Sequence, residues 1–475
     1  MESPIESEAD AIASTVLEAF RKLPAKRKPT VRDNGLREWV PLAGIVVKGP
    51  DYLKCVALAT GMKCLPASKL PQANGVALHD WHAEVLAIRA FNRFILDECR
   101  RLAQDSTAQS EFLRRRTDAE LSSPSSSNGT WHAQPFTWRE GLTLHMYCSE
   151  APCGDASMEL IISSQEDATP WTTPAASAAT SPSASGTPFR ASSSADATGP
   201  PSEGHTALLG RGFFSQLGIV RRKPARGDAP PTASKSCSDK LALRQCTSVL
   251  SALTALFVSP RRAYLSTLVL PASQFTEAGC RRCFSGGEGS AGETRAERAT
   301  WGEEGGEDGK AGGQAGVAGG RMRPVAGRMW GGTGYAFVPF RVETTVCEFE
   351  FSRRAIVSGS SGNEKQVKVT ASNLAVAWTR DGAVQEGLIG GVLQGRKGFD
   401  IKGASLTSRR RMWEGAVEVA AALGDAGIAR ELAMETYDGV KEGRMLEARR
   451  KVKNEVREEA LKGWLRNTGD GEFGL

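Results

Sequence analysis

The stretch at residues 78–86 (LHDWHAEVL) restricts this chain more than any other segment. It predicts the start of a helix, because Asp80 is a good N-cap residue and a largely apolar run follows it. His82 and Glu84 stand two residues apart in this start, which is a spacing that suits a metal ligand and a proton carrier. The segment therefore predicts a helix packed against a sheet, with apolar positions Val85, Leu86, Ile88, Ala90, Phe91, Phe94 and Ile95.

Short apolar stretches elsewhere predict the strands of that sheet. Residues 41–48 and 53–60 flank a Gly-Pro-Asp turn, which indicates two strands joined by a tight connection. Further strands are predicted at 142–148, 264–270 and 374–378, and helices at 5–20, 243–257, 408–423 and 432–464. Strands and helices mixed in this order indicate an α/β domain.

Two segments are too poor in apolar residues to join a core. Residues 163–204 are rich in Ser, Ala, Thr and Pro, and residues 285–334 are rich in Gly, Glu and Arg. Both are predicted to be disordered surface inserts, because they bury too little apolar area to offset the entropy of ordering. No internal repeat is evident, so residues 1–475 are predicted to form one domain that carries two inserts.

Composition excludes some classes of protein. The chain has no apolar run near the roughly 18 residues that span a bilayer, and its acidic N-terminus lacks the pattern of a signal peptide. We therefore expect an intracellular protein of the nucleus or cytoplasm, with no membrane partner. Its ten scattered cysteines would stay thiols or bind metal there. The formal charge of +6 is compatible with an RNA partner without demanding one.

Two distant cysteines complete a candidate metal site. A catalytic zinc takes three protein ligands and leaves a fourth position to water, and His82, Cys153 and Cys237 supply that number. Zinc lowers the pKa of bound water to about 7, and Glu84 could carry the proton released. Each motif is weak alone, since Cys153 does not begin the common P-C-x-x-C pattern. The only C-x-x-C, at 280–283, has no nearby His in the sequence and is interpreted as incidental.

Three blocks taken together resemble the adenosine deaminase family that acts on RNA and tRNA: HDWHAE at 79–84, APCGD at 151–155 and SCSDK at 236–240. The resemblance implies a three-layer α/β/α cytidine-deaminase-like fold with a mixed central sheet and a C-terminal helical extension. It also implies zinc at His82, Cys153 and Cys237, with Glu84 as the catalytic residue. Residues 222–228 (RKPARGD) resemble the tRNA-specific branch, which implies alanine tRNA as partner and the adenosine just 3′ of its anticodon as substrate.

The same resemblance implies a second cofactor, a buried inositol hexakisphosphate ringed by Lys and Arg. Six phosphates carry a charge that only clustered cations could neutralise inside a fold. Asp80 would connect Lys240 to the zinc side, and Lys63 would contact the substrate. The residues implied for the phosphate site are Asp80, Arg89, Lys240, Arg244, Lys441, Lys451 and Trp464, with Tyr437 and either Arg409 or Arg410 as further candidates.

Two other functions remain open from the sequence. One is an editor of structured messenger RNA, and the other is a non-catalytic RNA-binding protein with a structural zinc. A structural zinc is usually closed by a fourth protein ligand, so the presence of Glu84 favours catalysis. A Walker-type nucleotide site is not supported, because GGVLQGRK at 390–397 lacks the Gly-Lys-Ser/Thr ending.

Overall fold

An eight-stranded mixed sheet forms the centre of the fold. The computed structural model describes residues 7–122, 133–164, 208–209, 217–223, 230–287, 319–359 and 368–475. In chain order the strands are β1 (Arg37–Trp39), β2 (Leu42–Lys48), β3 (Leu53–Thr60), β4 (Leu113–Arg115), β5 (Phe136–Trp138), β6 (Thr143–Cys148), β7 (Leu208–Leu209), β8 (Arg221–Arg222), β9 (Leu265–Pro271), β10 (Met329–Trp330), β11 (Tyr335–Ala336), β12 (Arg341–Thr345), β13 (Val369–Ala371), β14 (Ala375–Thr379), β15 (Gln385–Ile389) and β16 (Val392–Leu393).

The central sheet has the order β12-β9-β6-β2-β3-β14-β15-β16. Strand β9 runs parallel to β12 and β6, and the remaining neighbours are antiparallel. The α-helices are α1 (Glu8–Arg21), α2 (Ala83–Gln104), α3 (Asp118–Leu121), α4 (Met158–Ser163), α5 (Cys237–Thr247), α6 (Glu277–Phe284), α7 (Arg353–Ser358), α8 (Arg409–Leu423), α9 (Ala426–Leu432), α10 (Tyr437–Glu442) and α11 (Glu447–Glu459). None of the helices in the described ranges is both long and apolar enough to cross a membrane.

Both faces of the sheet are covered, because successive side chains of a strand point to opposite sides. In β2, Leu42 and Val46 join the core beneath α1, whereas Ala43 and Ile45 join the larger core that contains α2. Helix α8 packs against α2 and α11 packs against α5, so the C-terminal helices extend the layer on the α2 side. The three-layer α/β/α fold with a mixed sheet and a C-terminal helical extension is confirmed.

The predicted elements are found with some changes of boundary. The predicted helix at 243–257 ends at Thr247, because Ser248 has a φ of 57° that a right-handed helix does not accept. The predicted helix at 432–464 is divided into the end of α9, then α10 and α11. Thr436 caps the start of α10, and Gly443 leaves helical geometry at its end.

The insert boundaries also differ from those expected from composition. Of the first insert, residues 165–204 lie outside the described residues, as do 288–318 of the second. Residues 319–334 are packed, since Met322 is buried and Trp330 Nε1 donates a hydrogen bond to Glu455 Oε2 (2.7 Å). The prediction of an insert was therefore wrong for residues 319–334, where a few apolar anchors outweigh the Gly-rich composition around them.

Candidate active site

The three residues expected to bind metal lie close together, each in or beside a segment that starts a helix or follows a strand of the central sheet. His82 immediately precedes α2, Cys153 lies in the loop after β6, and Cys237 is the first residue of α5. One donor atom from each lies within 4.8 Å of the other two, and Cys153 Sγ is 3.8 Å from His82 Nδ1. The fold therefore brings together the three residues that the sequence analysis grouped, although they are far apart along the chain.

Asp80 has a different local role from the one expected. The helix starts at Ala83, so His82 occupies the N-cap position and the assignment of Asp80 as N-cap was wrong. The backbone N–H of His82 instead donates to Asp80 Oδ1 (3.0 Å). Asp80, two residues before the N-cap, thus fixes the turn that presents His82.

The two cysteine blocks are locked to each other by close backbone contacts. Ser238 donates through its backbone N–H to Cys153 O (3.0 Å), and the Cys237 N–H points to Cys153 Sγ (3.4 Å). Gly154 has a φ of 109°, and a Cβ on it would lie 2.3 Å from Ser236 Oγ. Only glycine allows this approach, which explains the Cys-Gly sequence beside the second cysteine block.

The donor set fits a catalytic zinc. One imidazole and two thiols are the ligand types that zinc prefers, and three of them leave a fourth position for water. Among the described residues, a second potential metal group also exists, formed by Cys64, Asp80 and His82. The two groups share His82, and Cys64 was not anticipated from the sequence.

Glu84 lies in the first turn of α2 and is buried. Burial raises the pKa of its carboxyl, and the nearby Cys153 raises it further. A carboxylate with a raised pKa accepts a proton more readily near neutral pH. The position and environment of Glu84 therefore suit a general base beside the metal ligands.

Lys223 is a buried member of the site that sequence reasoning missed. Its Nζ donates to Asp80 Oδ2 (2.8 Å) and to Cys237 Sγ (3.2 Å). Burial alone would lower the pKa of Lys223, but Asp80 and Cys153 outweigh it and hold the pKa well above its usual value. The signal was present in the RKPARGD block, which had been used only to indicate the type of substrate.

Asp80 also connects this cluster to Lys240. Its Oδ2 accepts hydrogen bonds from Ser234 Oγ (2.6 Å) and from Lys240 Nζ. Burial alone would raise the pKa of Asp80, but Lys223 and Lys240 hold it well below the usual range. The carboxylate is therefore charged and shared between two lysines.

Beyond Lys240 lie two adjoining cavities of about 440 and 340 Å³. Eleven Lys and Arg side chains line them, against four carboxylates. All four carboxylates are already paired: Asp80 with Lys223 and Lys240, Asp438 with Lys441, Glu442 with Arg450, and Asp470 with His79. The cationic residues shared by both cavities are Lys240, Arg409, Lys441, Arg449, Lys453 and Arg457.

Most residues expected at a phosphate site line these cavities, but one does not. Asp80, Arg89 and Arg244 line the smaller cavity, and Lys240, Lys441 and Trp464 line both. Lys451 is exposed and lies outside the lining. On α11, Arg449, Lys453 and Arg457 follow one another at intervals of four residues and share a face, which places Lys451 on another side of the helix. Arg409 lines both cavities, whereas the Arg410 guanidinium lies over the Phe473 ring.

The cavity cations repel one another. Burial, then Arg449 and Arg89, lower the pKa of Arg244 to about 9. Burial, then Lys240 and Arg457, lower the pKa of Lys235 to about 8. Lys453 is affected most, with a pKa well below its usual value because of burial and the neighbouring arginines. Such a concentration of positive charge fits a bound polyanion.

Lys63 lies three residues beyond the end of β3, beside the segment that precedes His82. Its carbonyl accepts a hydrogen bond from the Trp81 N–H (3.0 Å), and its exposed side chain contacts Asn373 Oδ1. Partial burial of the Lys63 side chain, and then the nearby Arg32, lower the pKa of Lys63. An exposed cation is therefore fixed close to the segment that carries the metal ligand.

Comparison with known proteins agrees with this geometry. Residues 57–286 match the adenosine-deaminase (editase) domain. The chain is 37% identical over 276 residues to tRNA-specific adenosine deaminase 1 of Schizosaccharomyces pombe, covering 58% of this chain and 60% of that protein. It is 30% identical over 269 residues to tRNA-specific adenosine deaminase 1 of Saccharomyces cerevisiae, covering 55% and 58%.

A more distant similarity links the chain to editing enzymes. It is 27% identical over 151 residues to the double-stranded RNA-specific editase Adar of Drosophila melanogaster, covering 31% of this chain and 19% of that protein. The chain spans about 60% of the length of the two yeast relatives. The matched segment contains His82, Glu84, Cys153 and Cys237, the residues that the fold brings together. Residues 57–286, just under half of the chain, are therefore similar to the adenosine-deaminase (editase) domain family.

Proposed function

We propose that this protein is a zinc-dependent hydrolase that converts adenosine to inosine in tRNA. The observation that supports this proposal most directly is the cluster of His82, Cys153 and Cys237. The buried Glu84 lies beside it in the first turn of α2, the helix that follows His82. The names of the two yeast relatives support tRNA as the substrate class. Residues 1–475 would form a single editase domain, and a tRNA substrate would place it in the nucleus or cytoplasm.

The reaction needs a hydroxide at C6 of adenine and a proton on the amine that leaves. When bound, zinc supplies acidity that makes hydroxide available at neutral pH. Glu84 would accept the proton of the attacking water, deliver it to the ring nitrogen beside C6, and then assist departure of ammonia. Its raised pKa supports this exchange in both directions.

Around the cluster, Lys223 would hold the charge of the Cys237 thiolate through its hydrogen bond to Sγ. Asp80 would keep Lys223 charged and at that position. These contacts position the ligands without touching substrate, which is the usual task of outer groups at a metal site.

The substrate would be an adenosine in the anticodon loop. A base in a loop can leave its stack at low cost, so an active site reaches it more easily than a paired base. We assign alanine tRNA and the adenosine just 3′ of its anticodon, on the resemblance to the tRNA-specific branch. Lys63 would contact a phosphate or ribose beside that adenosine.

A basic surface further from the cluster supports an RNA partner. Lys26 and Arg27 follow α1, and Arg396 and Lys397 follow β16. Arg27 joins the two segments, since its guanidinium donates to Gln394 Oε1 (3.2 Å). Within the described ranges, none of these four cations forms an ion pair with a carboxylate. Cations that are not paired with carboxylates suit the phosphates of a nucleic acid.

For the cation-lined cavities we propose inositol hexakisphosphate as the ligand. The excess of buried positive charge supports a compact polyanion, and the combined space admits a small molecule. Phosphate analysis and mass spectrometry of the denatured, purified protein test this. One inositol hexakisphosphate per chain is expected, and its absence from active protein would contradict the assignment.

Substrate choice separates the proposed function from its alternatives. Purified protein is incubated with alanine tRNA, with a long RNA duplex and with no RNA, and inosine is located by sequencing. Inosine in alanine tRNA alone is the expected result. Inosine in the duplex alone selects a messenger RNA editor, and zinc-containing protein that makes no inosine in either RNA selects a non-catalytic protein.

A further inference from the structure

The segment that contains Cys64 is held directly against the one that carries His82. Leu65 donates its N–H to His79 O (2.9 Å), and Trp81 donates its N–H to Lys63 O (3.0 Å). Between these two bonds, Cys64 stands opposite Asp80 in an antiparallel bridge. The backbone therefore fixes Cys64 at a set distance from the metal ligand that follows.

The side chains meet as well. Cys64 Sγ, a carboxylate oxygen of Asp80 and a ring nitrogen of His82 all lie within 4.8 Å of one another. The Cys64 thiol and the His82 imidazole therefore lie beside each other. His82 is thus enclosed by Cys153 and Cys237 on the metal side and by Cys64 and Asp80 nearby.

Asp80 has little capacity left for the imidazole. One oxygen accepts the backbone N–H of His82, and the other is shared by Lys223 and Lys240. A histidine that binds metal normally engages its second ring nitrogen with an outer group, which fixes the tautomer and the ring orientation. Among the described neighbours, Cys64 lies close enough to the imidazole to take that part.

Cys64 is not placed as a fourth metal ligand. Ligand atoms of one tetrahedral zinc must all be close to one another. Cys64 falls in a group with His82 and Asp80, and not in the group that His82 forms with Cys153 and Cys237. The position available to water is therefore not filled by this thiol.

We propose that Cys64 is a positioning residue for His82: its sulfur accepts a hydrogen bond from the ring nitrogen that does not bind metal. This proposal rests on the zinc site of the proposed function, but not on the identity of the RNA. This role involves no covalent step, so no bond is formed or broken. A serine could take over the contact in part, whereas an alanine could not.

The test measures zinc affinity by chelator competition in wild type, Cys64→Ala and Cys64→Ser. Loss of an outer partner weakens metal binding about 10–100-fold, so this weakening is expected for Cys64→Ala, with partial recovery in Cys64→Ser. Cys99→Ala is the matched control, since Cys99 is a buried cysteine of the helix that follows His82. Its zinc affinity should equal that of wild type.

A second readout uses the absorption spectrum of the cobalt-substituted protein. Cys64→Ala should keep the full intensity of the thiolate-to-cobalt band while the ligand-field bands shift. Loss of about a third of that intensity would make Cys64 a ligand, and zinc affinity unchanged from wild type would remove its positioning role; either result overturns the proposal. A wild-type protein that binds no zinc would overturn this proposal together with the metal site, whereas failure to deaminate tRNA would leave it standing.

Discussion

The metal cluster and the cation-lined cavities lie on either side of Asp80. Buried cations have anionic partners in the first and cationic neighbours in the second. At the cluster, the buried Lys223 has Asp80 and Cys237 as partners, and its pKa is raised. In the cavities, Lys453 and Arg244 have cations as neighbours, and their pKa values are lowered. In the first region the protein supplies both the buried cation and its anionic partners, whereas the cavity cations mainly face one another, an arrangement that favours a bound anion.

The largest expected effect comes from breaking the connection between the two regions. Asp80→Asn removes the negative charge that Lys223 and Lys240 share. Because Lys223 would remain buried without an anionic partner, we expect a loss of about 3–5 kcal/mol in the free energy of unfolding. Denaturant unfolding measures this, with Asp438→Asn as control, since Asp438 forms its ion pair at the cavity edge with far more exposure. Equal losses in both variants would contradict the central role of Asp80.

Substitution of two lysines of α11, Lys453 and Lys451, tests which residues of the helix bind a ligand in the cavities. Lys453→Gln should weaken binding of inositol hexakisphosphate by about 1.5–3 kcal/mol, because a charge-assisted contact is lost. The same change should stabilise the ligand-free protein, because a cation is removed from among Arg244, Arg449 and Arg457. Calorimetric titration with inositol hexakisphosphate measures the loss of affinity. Thermal unfolding of the ligand-free protein measures the gain in stability.

The control for that experiment is Lys451→Gln, two residues away on α11. Lys451 is exposed and outside the cavity lining, so its stability should stay within about 0.5 kcal/mol of wild type and its ligand affinity should not change. If Lys451→Gln weakened ligand binding and Lys453→Gln did not, the register of α11 described above would be wrong.

The pH dependence of stability should differ between the empty and the filled cavity. Lys235 has a pKa of about 8 in the fold, below the value of about 10.4 expected after unfolding. A lowered pKa means that the unfolded chain binds more protons between these values, so the stability of the ligand-free protein should rise from pH 8 to pH 10. The slope is on the order of 1 kcal/mol per pH unit for one such group.

With the polyanion bound, Lys235 regains a counter-charge and that rise should disappear. The stabilisation by added inositol hexakisphosphate should therefore be greatest below pH 8 and decline toward pH 10. Thermal unfolding at several pH values, with and without the ligand, measures it. A ligand effect that grew with pH would contradict the assignment of the cavity.

The smallest expected effect is at the exposed edge of the cluster. Lys63→Ala should raise the KM for tRNA by roughly fivefold, which corresponds to about 1 kcal/mol, and leave kcat near that of wild type. The reason is that an exposed cation contributes to binding in the ground state and the transition state alike. Lys54→Ala, on the strand that precedes Lys63 and paired with Glu111, should leave KM unchanged. A fall in kcat for Lys63→Ala would place Lys63 in the chemistry.

The sequence was most informative where function depends on short contiguous blocks. His82, Glu84, Cys153 and Cys237 stand in such blocks, and the structure brings the three expected ligands together. Cys64 has no motif of its own, because its contact with His82 arises from backbone pairing between two loops.

The cavity residues were harder to predict, because they depend on where helices begin and which face they present. A shift of two residues separates the exposed Lys451 from Lys453 in the lining. The same limit applies to Asp80, which was predicted as the N-cap but lies two residues before it, because the helix begins at Ala83. Composition also assigned residues 319–334 to an insert, although Met322 and Trp330 join the core. Side-chain direction, rather than residue type, is what the sequence left undetermined.

The most direct measurement of the central claim is the single-turnover rate of inosine formation in alanine tRNA by wild type and Glu84→Gln, at equal and verified zinc content. Glutamine keeps the size of the side chain but cannot accept the proton, so we expect the rate to fall about 10²–10⁴-fold while zinc stays bound. A Glu84→Gln protein that forms inosine as fast as wild type would contradict the account, as would a zinc-loaded wild type that forms none.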